Sequence, residues 1–511
     1  MLQERLDRVL WNTEAMLFFP EAKVVNLPRL CSDHNPILFC TEMLQPPPKE
    51  SRPFRFEAAW LTHSSFKEVF EQSWSLGNDD LLNAIHAVTT RVKEWKEEVF
   101  GNIFQKKKKL WRRIQGIQNS MFYGISNSLQ QLEVELINEY QEILAAEEVL
   151  WLQKSRMEWI CNGERNTKFF HLTTVARRNF NRVTRLKIDG EWTTDPIVLK
   201  DHVMEYFHDL FGAKLVTPVS NNFANFRVSL KDEEKVKLLD HITLEEVKKA
   251  LFSMKGLKSP GPDGIQPIFL QRHWVSVQTS LLRFVKNAML TTQVPMETLK
   301  ANTVLIPKGT SPDSIMQFRP ITLLNTTYKV LSKVLVNRMR SILQRVIGPY
   351  QNSFLAGRST SDNILVVQEL VHTMMNLKGR KGSMILKLDI HKAYDTLNWD
   401  FLQSVLLEFG FPTKLIDLIM FCVRNMAISV IWNGEVLPEF MPKQGLRQGD
   451  PLSPYLFILA MEKLSQMILS EVANKDWIGV KASRKGPAIS HLFFLQMILC
   501  FLVGHRGIKW K

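Results

Sequence analysis

The sequence predicts an α+β protein in which a helical N-terminal region precedes a region of mixed helices and strands. Three observations carry this. Residues 81–162 hold few breakers and many Glu, Lys, Leu and Gln, with apolar residues at helical spacing: Val92, Trp95 and Val99 on one face, later Leu132, Leu136, Tyr140 and Leu144. From about Ile242 helix and strand signals mix to the end of the sequence. Residues 384–390 form a mostly apolar run with β-branched members, the pattern of a buried strand.

Taken in order, residues 1–43 read as short strands ending in a loop, and 45–53 (QPPPKESRP) as a charged, Pro-rich linker. Lys106, Lys107, Lys108 and Lys109 with Trp111, Arg112 and Arg113 make a basic stripe; a solvated helix face has the same composition. In 162–183 Phe169, Phe170, His171 and Phe180 alternate with Arg and Lys. Single-stranded nucleic acid needs that mixture, because bases stack and phosphates pair with cations. An amphipathic core segment with a charged outer face fits it equally. Residues 212–235 read as a polar connector, and no internal repeat is present.

Bulk properties narrow the class. The 511 residues, 45% hydrophobic, suffice for two to four cored domains. The formal net charge of +14 suits a polyanionic partner, nucleic acid first, since phosphate neutralisation dominates such affinities. A generic basic protein has the same balance. Five scattered cysteines without a CxxC pair support neither a zinc knuckle nor a disulfide framework. The start, MLQERLDRVLW, lacks a signal-peptide core, and the apolar stretch 492–503 is broken by Gln496 and shorter than the ~20 residues of a membrane span. The expectation is a protein that is neither secreted nor membrane-bound, in the nucleus or cytoplasm.

The chemistry concentrates in two segments. In SMILKLDIHKAYDTLNWD (383–400), Asp389 lies near the end of the apolar run. A carboxylate there is costly unless a charge meets it: a metal or substrate cation, or Lys387 or Lys392 in a simple ion pair. About fifty residues on, QGLRQGDPLS (444–453) supplies glycines, Arg447, Gln448 and an Asp-Pro turn ahead of a helix-like run. Such a loop lets backbone and side chains approach a phosphate or base closely.

These segments resemble the reverse transcriptase of plant LINE-type (non-LTR) retrotransposons, and further stretches match in the family's order. KGLKSPGPDGI (255–265) resembles the N-terminal polymerase motif. Residues 305–339 and 351–364 resemble the two fingers motifs, KLDIHKAYDTLNW motif A of the palm, and GLRQGDPLSPYLFILAMEKLS motif B. FRFEAAW (54–60) and GERNTKFFH resemble the family's linker region. The resemblance implies a right-hand polymerase that extends a DNA primer on an RNA template with dNTP, by phosphoryl transfer at two Mg²⁺ ions. It makes Asp389 the catalytic metal ligand. Tyr394 would lie beneath the incoming sugar, and Gln448 with Gly449 would line the nucleotide pocket. Lys308 and Arg319 on the fingers would approach the triphosphate. Asp395 and Asp450 would be structural, the latter shaping the turn.

Two departures stand out. The family's second acidic motif, Phe-Ala-Asp-Asp, belongs after GPAISHLFF (486–494), where this chain has Leu-Gln-Met-Ile-Leu-Cys-Phe and no Asp or Glu after Asp476. Codons for Phe-Ala-Asp-Asp-Ile-Val-Leu read in a shifted frame yield that string. The expectation is a frameshift after Phe494, with 495–511 an out-of-frame tail whose apolar character has no packing role. Loss of the paired acid is expected to cost ~10³-fold or more in rate. At the other end, RLDRVLWN and CSDHNPI resemble the last strands of the family's endonuclease-like domain, making Asp33 and His34 the orphaned acid-base pair of an incomplete nuclease. The expected organisation is therefore an endonuclease remnant (1–43), a helical linker region (44–230), an incomplete polymerase with fingers and part of the palm (231–494), and the tail (495–511). The alternative is a non-catalytic nucleic-acid-binding remnant.

Overall fold

The computed structural model describes residues 9–19, 22–26, 37–40, 48, 51–123, 125–157, 166–212, 228–376, 383–483, 485–494 and 497–503. At the start, helix α1 (Thr13–Phe18) is capped by Asn12, whose Oδ1 accepts from Ala15 N at 2.8 Å. Strands β1 (Lys23–Asn26) and β2 (Ile37–Cys40) follow and pair antiparallel. Two of the short strands expected in 1–43 thus form, together with a helix that was not expected.

The breaker-poor region folds as helices α2 (Phe66–Ser75), α3 (Leu81–Trp95), α4 (Ile103–Gln118), α5 (Asn127–Ser155) and α6 (Thr167–Asn181). Side chains of Asp80, Asn102 and Ser126 accept from first-turn N–H groups of α3, α4 and α5, satisfying donors that a helix start leaves free. Helices α4 and α5 form a hairpin around Leu110, Ile114, Ile117 and Leu136. One expected face is corrected. After α3 the chain makes a π-helical turn over Lys96–Phe100, and this wider turn rotates the stripe. Val92 and Trp95 are buried, Val99 is turned to solvent, and Phe100 takes the inner position.

Beyond α6 come β3 (Leu186–Ile188), β4 (Glu191–Thr193) and helices α7 (Pro196–Phe211), α8 (Asp232–Leu239), α9 (Leu244–Phe252), α10 (Pro267–Arg272) and α11 (Trp274–Thr291). The remaining elements are β5 (Ala301–Pro307), β6 (Phe318–Leu324), α12 (Thr326–Val346), α13 (Thr360–Asn376), β7 (Ser383–Asp389), α14 (Trp399–Glu408), α15 (Thr413–Arg424), β8 (Ile428–Trp432), β9 (Glu435–Phe440), α16 (Ser453–Ala473), β10 (Val480–Lys481), β11 (Ala488–Ile489), β12 (His491–Phe494) and β13 (Met497–Val503). One sheet has the order β6-β5-β8-β9, with β5 antiparallel to β6 and parallel to β8; another has the order β12-β13-β7. The architecture is mixed helix and sheet, and among the described residues no helix is long and apolar enough to cross a membrane.

The helices before residue 230 do not pack as a separate body. A continuous core runs from Phe56, Phe66 and Trp74 through Phe269, Val277 and Leu281 to Phe457 and Phe493. Trp74 Nε1 donates to Ser280 Oγ at 3.2 Å within it. A second core places Leu199, Val203 and Phe207 of α7 against Leu305, Phe318, Val430 and Trp432 of the four-stranded sheet.

Two expectations are corrected in the three-stranded sheet. The run 384–390 is not buried: β7 pairs with β13 along one edge, and Met384, Leu386 and Leu388 remain 37%, 42% and 42% exposed. The other correction concerns the tail. At 497–503 it forms the central strand of this sheet, with Ile498, Cys500 and Phe501 buried and Trp477 Nε1 donating to Phe501 O at 3.0 Å. Strand pairing is made by the backbone, so an apolar run beside an open edge packs whatever its coding history.

Candidate functional site

Strand β7 delivers Asp389 to its C-terminal end, opposite Met497 of β13. The Asp389 side chain is exposed and makes no ion pair among the described residues. Neither lysine expected as its partner takes that role; Lys392 Nζ lies 4.2 Å from the Tyr206 ring centroid instead. Burial lowers the Lys392 amine, against the pull of Asp395. The turn that follows is closed by Asp395 N donating to Lys392 O at 2.8 Å. It buries Asp395, whose carboxyl is pushed up to about 6 by desolvation despite Lys392 and Lys308 nearby. The Tyr394 ring stacks on Phe457 at 4.3 Å between centroids. Its hydroxyl is buried without a hydrogen-bond partner among the described residues, and burial raises the phenol.

The loop before α16 is laced to that turn. Leu446 N donates to Tyr394 O at 2.6 Å and Gly445 N to Leu397 O at 2.8 Å. Gly445 has φ +87°, and a Cβ there would lie 2.3 Å from Asp395 O, so only glycine permits the approach. On the other side, Thr322 N of β6 donates to Gln448 O at 2.7 Å. Gly449 has φ +123°, with a Cβ position 2.4 Å from Thr322 O. Asp450 is buried and accepts from Tyr328 OH at 3.0 Å, Ser332 Oγ at 2.6 Å and Leu452 N at 3.0 Å. The buried Arg447 guanidinium, lowered by desolvation, donates to Val423 O. Thr303, Thr322, Asp395, Gln444, Arg447 and Gln448 enclose a cavity of about 10 Å³, room for one water at most.

The structure therefore brings Tyr394, Asp395, Gln448 and Gly449 together, while Asp389 stands at the end of β7 opposite Met497. Lys308 follows β5 and donates from Nζ to Met316 O at 3.1 Å; Arg319, exposed on β6, pairs in register with Ile306. Asp33 and His34 lie outside the described residues. Sequence reasoning missed the anchors Tyr328 and Ser332. Their i,i+4 spacing on α12 was the available signal, since it puts two hydroxyls on one helix face.

A divalent ion such as Mg²⁺ requires several hard oxygen ligands in near-octahedral array. Asp389 faces Met497 across the strand pair, and the described residues hold no group of three or more His, Cys, Asp or Glu able to bind a metal. The residues present do not fit such an ion.

Residues 306–493, from β5 to β12, match the family model described as reverse transcriptase (RNA-dependent DNA polymerase). The chain carries a reverse transcriptase domain. Its relatives place that domain with those of non-LTR retrotransposons. It is 29% identical over 315 residues to the transposon TX1 uncharacterized 149 kDa protein of Xenopus laevis, covering 60% of this chain and 24% of that one. It is 28% identical over 266 residues to the retrovirus-related Pol polyprotein from the type-2 retrotransposable element R2DM of Drosophila melanogaster, covering 52% and 24%. With the Pol polyprotein from a type-1 element R1 of Bradysia coprophila it shares 30% identity over 164 residues, covering 31% and 16%. The chain thus spans about a quarter, or less, of the length of these relatives.

Proposed function

We propose that this chain is the RNA-directed DNA polymerase part of a plant LINE-type retrotransposon protein, in a copy that holds RNA template and DNA primer but has lost nucleotidyl transfer. The observation that carries the loss is the register of β7 on β13. Asp389 is opposite Met497, and the strand Met497–Val503 brings no carboxylate to the place where the family's acidic pair belongs. The family match ending at 493 supports a break just beyond it. In this reading 231–494 are fingers and part of the palm of a right-hand polymerase, 44–230 the helical linker region, and 1–43 with Asp33 and His34 the endonuclease remnant. Tyr394 lies under the sugar of an incoming dNTP, Gln448 and Gly449 form the adjoining wall, and Lys308 and Arg319 face its phosphates. Asp389 is what remains of the Mg²⁺-binding set. The protein acts in the nucleus or cytoplasm.

A specific observation favours the binding-only reading. Lys108, Lys109, Arg112 and Arg113 line one exposed face of α4 and form no ion pair among the described residues. The test is primer extension on an RNA template with Mg²⁺ or Mn²⁺, comparing this chain with Asp389→Ala. Neither is expected to extend the primer, while both retard labelled RNA in a gel. Extension by the natural chain but not by the variant would refute the loss of catalysis.

A further inference from the structure

Five cations converge from three separate segments, all outside the stretch that matches the reverse transcriptase family. Arg55 comes from the strand-like lead into the core, Lys154 and Arg156 from the C-terminal end of α5, and Arg177 and Arg178 from α6. Arg177 fixes the junction: its Nη1 donates to Ser155 O at 2.8 Å and its Nη2 to Lys154 O at 2.6 Å, satisfying carbonyls at the end of α5. Arg156 sits just past that end in a left-handed conformation, φ 61°. Such a residue is strained unless it is glycine, so the position holds an arginine at a cost.

Arg55, Arg156 and Arg178 keep access to solvent and make no ion pair among the described residues. Gln153 Nε2 of α5 donates to Phe56 O at 2.9 Å, which holds the Arg55 segment against the end of that helix, and the arginines gathered there repel one another. Burial and then Arg156 and Arg178 lower Arg55; burial and then Arg177 push Arg156 down to about 10. Among the described residues one carboxylate reaches the group, Glu57, 3.6 Å from Lys154. The neighbouring Glu147 is taken by Lys107 at 2.5 Å. On the same two helices, α5 and α6, His171 stacks on Trp151 at 3.9 Å. Gathering five cations with one carboxylate among the described residues costs folding stability, so the arrangement is stabilised when an anion enters.

We infer that Arg55, Lys154, Arg156, Arg177 and Arg178 form a phosphate-binding cluster that grips a nucleic-acid strand by its backbone at a second place, away from the polymerase motifs. Choosing nucleic acid as the polyanion rests on the function proposed above. The planar guanidinium fork suits phosphate oxygens in pairs, and the absence of any base-reading requirement makes the grip independent of sequence.

The test compares the full chain with Arg156→Gln/Arg178→Gln, leaving Arg177 to hold α5. Binding of fluorescent 20-nucleotide RNA and of DNA of the same sequence is followed by anisotropy over a salt series. Two lost phosphate contacts should reduce the log–log salt slope by about 1.4, so the natural chain should lose about sevenfold more affinity than the variant between 50 and 200 mM salt. Without nucleic acid, the variant's Tm should equal or exceed that of the natural chain, because repulsion is relieved. A merely structural cluster would lower it. Arg156→Lys/Arg178→Lys should keep the slope. A reduced slope with both strands, or with one of them, supports the cluster's grip and in the second case names the strand held. An unchanged slope in the Gln variant overturns that grip and leaves the polymerase reading intact. Failure of the natural chain to bind either strand overturns both.

Discussion

Replacing Asp450 by Ala removes the acceptor that ties the turn before α16 to α12. Three donors lose their partner: Tyr328 OH, Ser332 Oγ and Leu452 N, at 3.0, 2.6 and 3.0 Å. Each hydrogen bond to an ionised group contributes about 1.5–3 kcal/mol, and donors stranded in a buried site add desolvation cost. The interactions share one carboxylate, so the terms do not add. The loss for Asp450→Ala should come to about 3–5 kcal/mol. Tyr328→Phe alone should cost about 1–2 kcal/mol. In the Asp450→Ala background it should cost almost nothing, because the hydroxyl has already lost its acceptor. Equilibrium urea denaturation of the four chains, read as midpoint shifts at constant m-value, completes the double-mutant cycle. A loss below about 1 kcal/mol for Asp450→Ala, or strict additivity with Tyr328→Phe, would show that the buried network does not hold the turn.

Glu462, buried on α16 with its Oε2 unpartnered among the described residues, has its carboxyl pushed up to about 7 by desolvation, outweighing Gly348 N–H and Arg358. The folded state therefore keeps a proton that the unfolded chain releases from about pH 4.5 upward. Glu462→Gln should leave stability unchanged below pH 4.5, gain progressively from there to about 7, and gain up to about 3 kcal/mol above it; a pH-independent difference in denaturation midpoint refutes the linkage. Gly449→Ala places a methyl carbon 2.4 Å from Thr322 O at φ +123° and should lower Tm by several degrees, whereas Gly309→Ala, with nothing within 4 Å, should not. Gln496→Asp with Met497→Asp returns two carboxylates, one at the position opposite Asp389 and one at the residue before it in the sequence. This double variant should give measurable primer extension with Mn²⁺ where the natural chain gives none; continued inactivity would mean that more than the acidic pair is missing.

Some of this was readable from residue order alone. Helix faces follow a period that a single chain already contains, so Val92, Trp95 and Leu136 could be placed inside from spacing. Ordered motifs between 255 and 465 announced a polymerase domain, and the glycines of the last of them stand where backbones meet closely, as Gly445 and Gly449 do. The absence of Asp and Glu after Asp476 was equally plain. What tertiary structure decided were the quantities set by a neighbour. Val99 turned outward because one π turn shifted the phase of its helix. Phe170 went into the core while Phe169 and Phe180 stayed about half exposed, a division that their identical composition could not express. Burial of β7 depended on whether another strand or helix covered it, and β13 covered one edge. The tail became a central strand because backbone groups pair without regard to side-chain origin. The five cations meet only where three distant segments come together, since charge repulsion and its relief depend on distance in space and not on separation along the chain.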